Sequence, residues 1–146
     1  MEKKINKKLN ELLASHQVHY QNLRGLHWNI KGTNFFELHL KYEELYNASQ
    51  IVIDDLAERI LMRGGAPEHT FASYIEMSKI KELKTTSKGE KGMEYIASAL
   101  KTVLSQEKEL LNLTDESGDE ATNALMSDLI REQEKTLWMC NAWLNK

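Results

Sequence analysis

Chain breakers are scarce in this sequence. Its 146 residues include one proline, Pro67, and seven glycines. A fold of many tight turns draws heavily on both, so long helices are expected in place of a many-turned β structure. There is one cysteine, Cys140. It has no partner for an intrachain disulfide, and a reducing cytoplasm is the simplest compartment. No run of about 18 apolar residues occurs, so no membrane span is expected. The lysines near the start, Lys3, Lys4, Lys7 and Lys8, are not followed by the apolar core of a secretory signal. Nor does one sign of charge dominate. Nineteen Lys and Arg stand against 22 Asp and Glu, a net charge of −3. Whole-protein attraction to nucleic acid is therefore not indicated.

What is present is helical periodicity. From about Lys4 to Lys31, the residues Ile5, Leu9, Leu12, His16, Tyr20, Leu23, His27 and Ile30 recur at steps of three and four and share a face. Gly32 reads as a stop, and Asn34 with Glu37 as a capping box for a second helix running from Phe35 to about Arg63. Leu38, Tyr42, Leu45, Ser49, Val52, Leu56 and Ile60 mark its inner face, and Gly64-Gly65-Ala66-Pro67 ends it. The pattern weakens from Glu68 to Thr86, where Tyr74–Leu83 reads as a short helix within a long connection. Such a connection is needed if the third long helix runs parallel to the second. Ser87 and Glu90 read as another capping box, opening a third helix that carries Met93, Ile96, Leu100, Val103, Leu104 and Leu111 to about Thr114. After a polar turn at Asp115–Asp119, a fourth helix places Leu125, Leu129, Thr136, Leu137, Cys140 and Leu144 together. The expectation is an all-α four-helix bundle, one domain spanning residues 1–146, with no internal repeat.

The chemistry-bearing residues concentrate on the second helix. His39 and Glu43 are four apart, as are Asp54 and Glu58. Eleven residues separate Glu43 from Asp54, about three turns, so all four lie within one stripe. A helical carboxylate is ordinarily a solvated charge, and a lone histidine ordinarily a hydrogen-bonded one. Here, however, Ile51, Val52, Ile53, Leu56, Ala57 and Ile60 surround the two acids, which implies burial, and buried carboxylates need a cation. One helix cannot supply all the ligands, because Glu43 and Asp54 are about 16 Å apart along the axis at 1.5 Å per residue. If two copies cross antiparallel near Ala48 and Ser49, His39 and Glu43 of one face Asp54 and Glu58 of the other. The small side chains at 48 and 49 would allow the approach, and twofold symmetry would give two such sites. His27, late in the first helix, could complete each. Two imidazoles with three carboxylates suit Fe(II), and equally zinc, manganese or cobalt. No Glu is followed three residues later by His, so the usual di-iron site inside one bundle is not expected.

The segment His27-Trp28-Asn29-Ile30-Lys31-Gly32-Thr33-Asn34-Phe35, followed by His39, Glu43, Asp54-Asp55-Leu56-Ala57-Glu58-Arg59 and Gly64-Gly65, resembles the Dps family, the mini-ferritins of starved cells. The likeness extends over nearly the whole chain. It implies a ferritin-like bundle, a hollow shell of twelve subunits built from twofold dimers, and a two-iron ferroxidase centre. His27, His39 and Glu43 would come from one subunit, with Asp54 and Glu58 from its mate. The family usually has Asp where Glu43 stands. The implied activity is oxidation of Fe(II), preferably by hydrogen peroxide, with ferric mineral stored inside and protection against oxidative damage. Trp28 would be a quencher of stray oxidising equivalents, or else simply a core residue. Glu120 and Glu134 would line pores for iron, with Ala124 where the family often has an acid.

DNA binding in the family commonly uses a lysine-rich tail ahead of the first helix. Here the periodicity already starts at Ile5, which puts the four lysines on the helix, so DNA is allowed but not favoured as a partner. The rival reading is a non-catalytic helical assembly or DNA-compacting protein whose His and acid stripe holds a structural zinc. His16, His19 and His69 lie outside the matched set, and His16 reads as core or interface.

Overall fold

The computed structural model describes all residues, Met1–Lys146, as five helices and no strand. They are α1 (Glu2–Asn29), α2 (Phe35–Met62), α3 (Phe71–Met77), α4 (Gly89–Ser117) and α5 (Glu120–Trp143). The four long helices form the bundle and α3 is the short extra one. None is long and apolar enough to cross a membrane.

Contacts at the two ends fix the topology. At one end Lys31 N–H donates to the Ser87 carbonyl at 3.1 Å, and Trp143 Nε1 donates to Glu37 at 2.8 Å. The end of α1, the starts of α2 and α4 and the end of α5 therefore meet there. At the other end Arg63 binds Glu2, Asn6 and Asp119. So α1 and α2 form one antiparallel hairpin and α4 and α5 another. Residues 63–88 carry the chain back along the full bundle, which lets α4 run parallel to α2. Asn10 and Asn22 on α1 hold this strap, receiving the backbone N–H of Glu68 and Leu83 and donating to the carbonyls of Ala66 and Lys81.

One apolar core serves all five helices. Leu9, Leu12, Leu23, Leu38, Tyr42, Leu56, Ile60, Ile96, Leu110 and Met126 are among its buried members. Gly92 on α4 lies against the Tyr42 hydroxyl, where any Cβ would collide with it. The α4–α5 turn is set by Gly118 at φ 72°, the left-handed conformation glycine adopts without a Cβ penalty. Asp119 then caps α5, accepting from Thr122 N–H at 3.1 Å.

Four local expectations are corrected. The short helix is Phe71–Met77, not Tyr74–Leu83, because Thr70 caps it by accepting from Ser73 N–H at 3.2 Å. Its Phe71 and Ile75 are exposed, so the inward periodicity that would have located it is missing. The Asn34 side chain makes no cap hydrogen bond, and Glu37 is engaged by Trp143. The N-cap of α4 is Lys88, not Ser87. On α5, Met126 and Ile130 join Leu129 and Cys140 in the interior, while Thr136 and Leu137 are only half-buried.

Candidate metal centre

The α1–α2 corner reverses the chain within five residues and brings His27 against His39. The two imidazoles stack with centroids 3.7 Å apart and planes inclined by 12°. Each Nδ1 lies at hydrogen-bond distance from the other residue's backbone carbonyl, 2.6 Å from His27 to His39 O and 2.7 Å from His39 to His27 O. A carbonyl only accepts, so both rings must donate through Nδ1–H. That fixes the tautomer and leaves both Nε2 lone pairs free to bind a metal. The arrangement has a local cause as well. The His27 carbonyl lies in the last turn of α1, where intrahelical donors run out, and His39 supplies one.

Aromatic neighbours wall the pair. Phe35 stacks on His39 at 4.9 Å, and Tyr46 meets His27 edge-on at 5.4 Å. The Tyr46 hydroxyl donates to Glu43 Oε1 at 3.2 Å. Burial, and next the Glu43 carboxylate, push the Tyr46 phenol above its ordinary range, so the hydroxyl keeps the proton it donates. Arg24 packs over Trp28 at 4.8 Å and over Tyr20 at 5.4 Å. Trp28 is 58% exposed, so the core reading of this residue is set aside. The partial negative charge at the carboxyl end of α1 adds a field that favours a cation at this corner.

The single chain brings His27, His39 and Glu43 to one neighbourhood but does not bring Asp54 and Glu58 to them. No cluster of three or more His, Cys, Asp or Glu able to hold an ion forms within it. Asp54 and Glu58 are exposed in the single chain, so one subunit by itself does not bury these acids. The physical reason lies in the register of α2. Leu38, Tyr42, Ser49, Leu56 and Ile60 face inward, and at 100° per residue the acid stripe falls on the flank turned away from them. Ser49 belongs to that inner face, so of the two small residues only Ala48 is outward. Arg59, the nearest cation in sequence, is taken by Asp119 and Thr122 and does not neutralise Glu58. The same outer flank carries Phe36, 84% exposed, with Leu40, Ile51 and Leu61. Sequence spacing did not single out Tyr46 or Phe35, although each lies three or four residues from a candidate ligand on α2, the distance at which helical side chains meet.

A family model for a ferritin-like domain matches residues 6–146. The DNA protection during starvation protein of Porphyromonas gingivalis is 39% identical over 97% of this chain and 89% of its own length. The chain belongs to the Dps family. DNA protection during starvation protein 2 of Bacillus anthracis is 38% identical, with both chains covered in full. The crystal structure of the Dps protein of Vibrio cholerae superposes with a TM-score of 0.97 at 49% identity, covering 98% of this chain and 90% of that one. That protein is described as a member of a broad superfamily of ferritin-like diiron-carboxylate proteins. Membership accounts for the four-helix bundle and for the position of the short helix between the second and third long ones.

The remaining candidates are placed as follows. Glu120 is exposed at the start of α5, and Glu134 is paired with Lys108 at 3.3 Å. Lys3, Lys4, Lys7 and Lys8 all lie on α1, and Lys8 is bound to Glu11 and Glu109 at 3.3 and 3.2 Å. His69 is exposed. His16 and His19 are buried in the bundle interior, remote from the corner.

Proposed function

We propose that this protein is a ferroxidase and iron-storage mini-ferritin whose catalytic pocket is shared by two antiparallel copies of α2. The observation that carries the reading is the His27–His39 pair, with both Nε2 atoms free, next to an exposed acid and apolar flank that the chain itself leaves uncovered. His39 with Glu43 and Asp54 with Glu58 are placed symmetrically about the midpoint between Ala48 and Ser49. A twofold axis there sets each pair against the other, and burial of Phe36, Leu40, Ile51 and Leu61 supplies the apolar drive for association.

Fe(II) is the substrate. Hard carboxylate oxygens favour the ferric state, so Glu43 of one chain with Asp54 and Glu58 of the other lower the cost of oxidation, and the two imidazoles hold the ion in place. With hydrogen peroxide as oxidant, two Fe(II) ions give up one electron each. The O–O bond breaks, two protons are taken up from solvent, and two waters leave. Both electrons go to the same peroxide, so hydroxyl radical is not released. Ferric product then collects inside a shell of twelve subunits in the cytoplasm, limiting oxidative damage to DNA and other targets. Protection needs no direct DNA contact, and with the N-terminal lysines held on α1, DNA remains an unfavoured partner.

Complementation tests the shared pocket. His39→Ala and Asp54→Ala chains, assembled separately, should each oxidise Fe(II) with peroxide no faster than buffer. Unfolded together and co-refolded at equal amounts, they should recover about a quarter of wild-type activity. Half the dimers would be mixed, and each mixed dimer would restore one intact pocket of two. No recovery in co-refolded material of native size, or full activity in either single variant, would end the proposal.

A further inference from the structure

We infer that Tyr46 is a positioning residue that holds one oxygen of Glu43, so that Glu43 presents a single oxygen to the metal. The inference deepens the shared-pocket reading and rests on it. Glu43 is separated from its backbone by three side-chain torsions, and a carboxylate on such an arm can bind a cation through one oxygen or through both. The geometry removes that freedom. Tyr46 stands three residues on, on the same side of α2, and its hydroxyl takes Glu43 Oε1 at 3.2 Å. Its ring is fixed in turn by two edge-on contacts, to His27 at 5.4 Å and to Tyr20 at 5.9 Å. One ring thus touches a candidate ligand and tethers another, coupling His27 on α1 to Glu43 on α2. The tethered oxygen is occupied by the phenol, and the other remains for the ion. Single-oxygen binding leaves a coordination position free for the oxidant.

Cobalt(II), which is spectroscopically visible and not oxidised under the assay conditions, is the probe for the assembled full-length protein. Tyr46→Phe keeps the ring and its contacts and removes only the hydroxyl. The expected result is about tenfold weaker Co(II) binding, the scale seen when a partner of a metal ligand is lost. Visible absorption per bound ion should also fall, because a two-oxygen Glu43 raises the coordination number. The effect should vanish in Glu43→Asp, whose carboxylate is one methylene shorter and retracted from the phenol. There, adding Tyr46→Phe should change the Kd by less than about twofold. An unaltered spectrum and Kd in Tyr46→Phe, with His39→Ala still abolishing Co(II) binding, overturns the positioning role alone. Wild-type Co(II) binding that is insensitive to His39→Ala overturns the shared pocket and this inference together.

Discussion

Two groups of histidines in this bundle receive opposite treatment. At the α1–α2 corner, His27 and His39 satisfy each other's inner nitrogens through backbone carbonyls and leave the outer ones free. In the interior, His16 approaches Glu107 at 3.4 Å, with the two residues 3% and 0% exposed, and His16 Nδ1 and Glu107 Oε2 find no partner. Nearby, Asn22 donates to the Tyr95 hydroxyl at 2.8 Å, and that hydroxyl can in turn donate to His19 Nδ1 at 3.0 Å. The interior group is enclosed by packed helices and its contacts lie within one chain. The corner group is incomplete and opens onto an uncovered flank. Bundles can hold metal sites between their own helices; here the interior histidines are engaged within the chain, while the His27 and His39 Nε2 atoms left free stand at the α1–α2 corner.

The contrast can be broken first in the interior. His16→Leu should be the costliest change, because it strands a fully buried carboxylate. A loss of about 3–5 kcal/mol is expected, roughly 10 °C in thermal midpoint by circular dichroism. Glu107→Leu should cost less, about 1–3 kcal/mol, since the remaining ring loses only a hydrogen bond. The double replacement His16→Leu/Glu107→Leu should restore most of the loss, and all three variants should keep wild-type ferroxidase rates. Loss of ferroxidase activity in a well-folded interior variant would erase the distinction.

The edge should answer in the opposite way. His27→Ala should slow peroxide-driven iron oxidation by about 100-fold, roughly 2.7 kcal/mol of barrier, with a much smaller change in thermal midpoint. Stopped-flow absorbance of ferric product gives the first number and calorimetry the second.

The pH dependence sharpens the comparison further. Burial, and secondarily the neighbouring His16, lower the His19 pKa to about 3. An unfolded histidine titrates near 6.5, so between about 6.5 and about 3 the unfolded chain binds more protons at this position than the folded one. Its contribution is therefore complete above about pH 6.5 and is lost as pH falls toward 3, at about 1.4 kcal/mol per unit. His19→Gln should flatten that acid limb in urea titrations at stepped pH. An unchanged slope would mean that His19 is not held neutral by the fold. The smallest effect is expected far from both groups, where Thr70→Ala removes the cap of α3 at a cost of about 1 kcal/mol or less.

The long helices were legible because their inward residues repeat at 3.6, and Leu38, Tyr42, Leu56 and Ile60 occupy the core as the periodicity implies. The short helix was misplaced because Phe71 and Ile75 face away from the chain's own core, leaving no inward repeat to read. On α2 the stripe of His39, Glu43, Asp54 and Glu58 follows from helical spacing alone. Its exposure does not, because of the apolar neighbours in sequence Leu56 and Ile60 turn into the core while Ile51 shares the exposed flank of the acids. The stacking of His27 on His39 depends on how tightly the corner closes, and the His16–Glu107 contact joins residues 91 positions apart, so neither is written in local pattern. Tyr46 was hidden for a simpler reason: a tyrosine beside apolar residues reads as packing until its hydroxyl is seen on Glu43.

The corner clasp has a consequence for how such a protein is made. It sets both imidazoles using atoms of one chain, yet would supply only half of the pocket proposed above. On that proposal, a subunit fresh from the ribosome would be shaped for the metal but unable to turn it over. Under the proposed shared pocket, reactivity would be withheld until a mate arrives, and oxidation would not start where there is no compartment to receive its product.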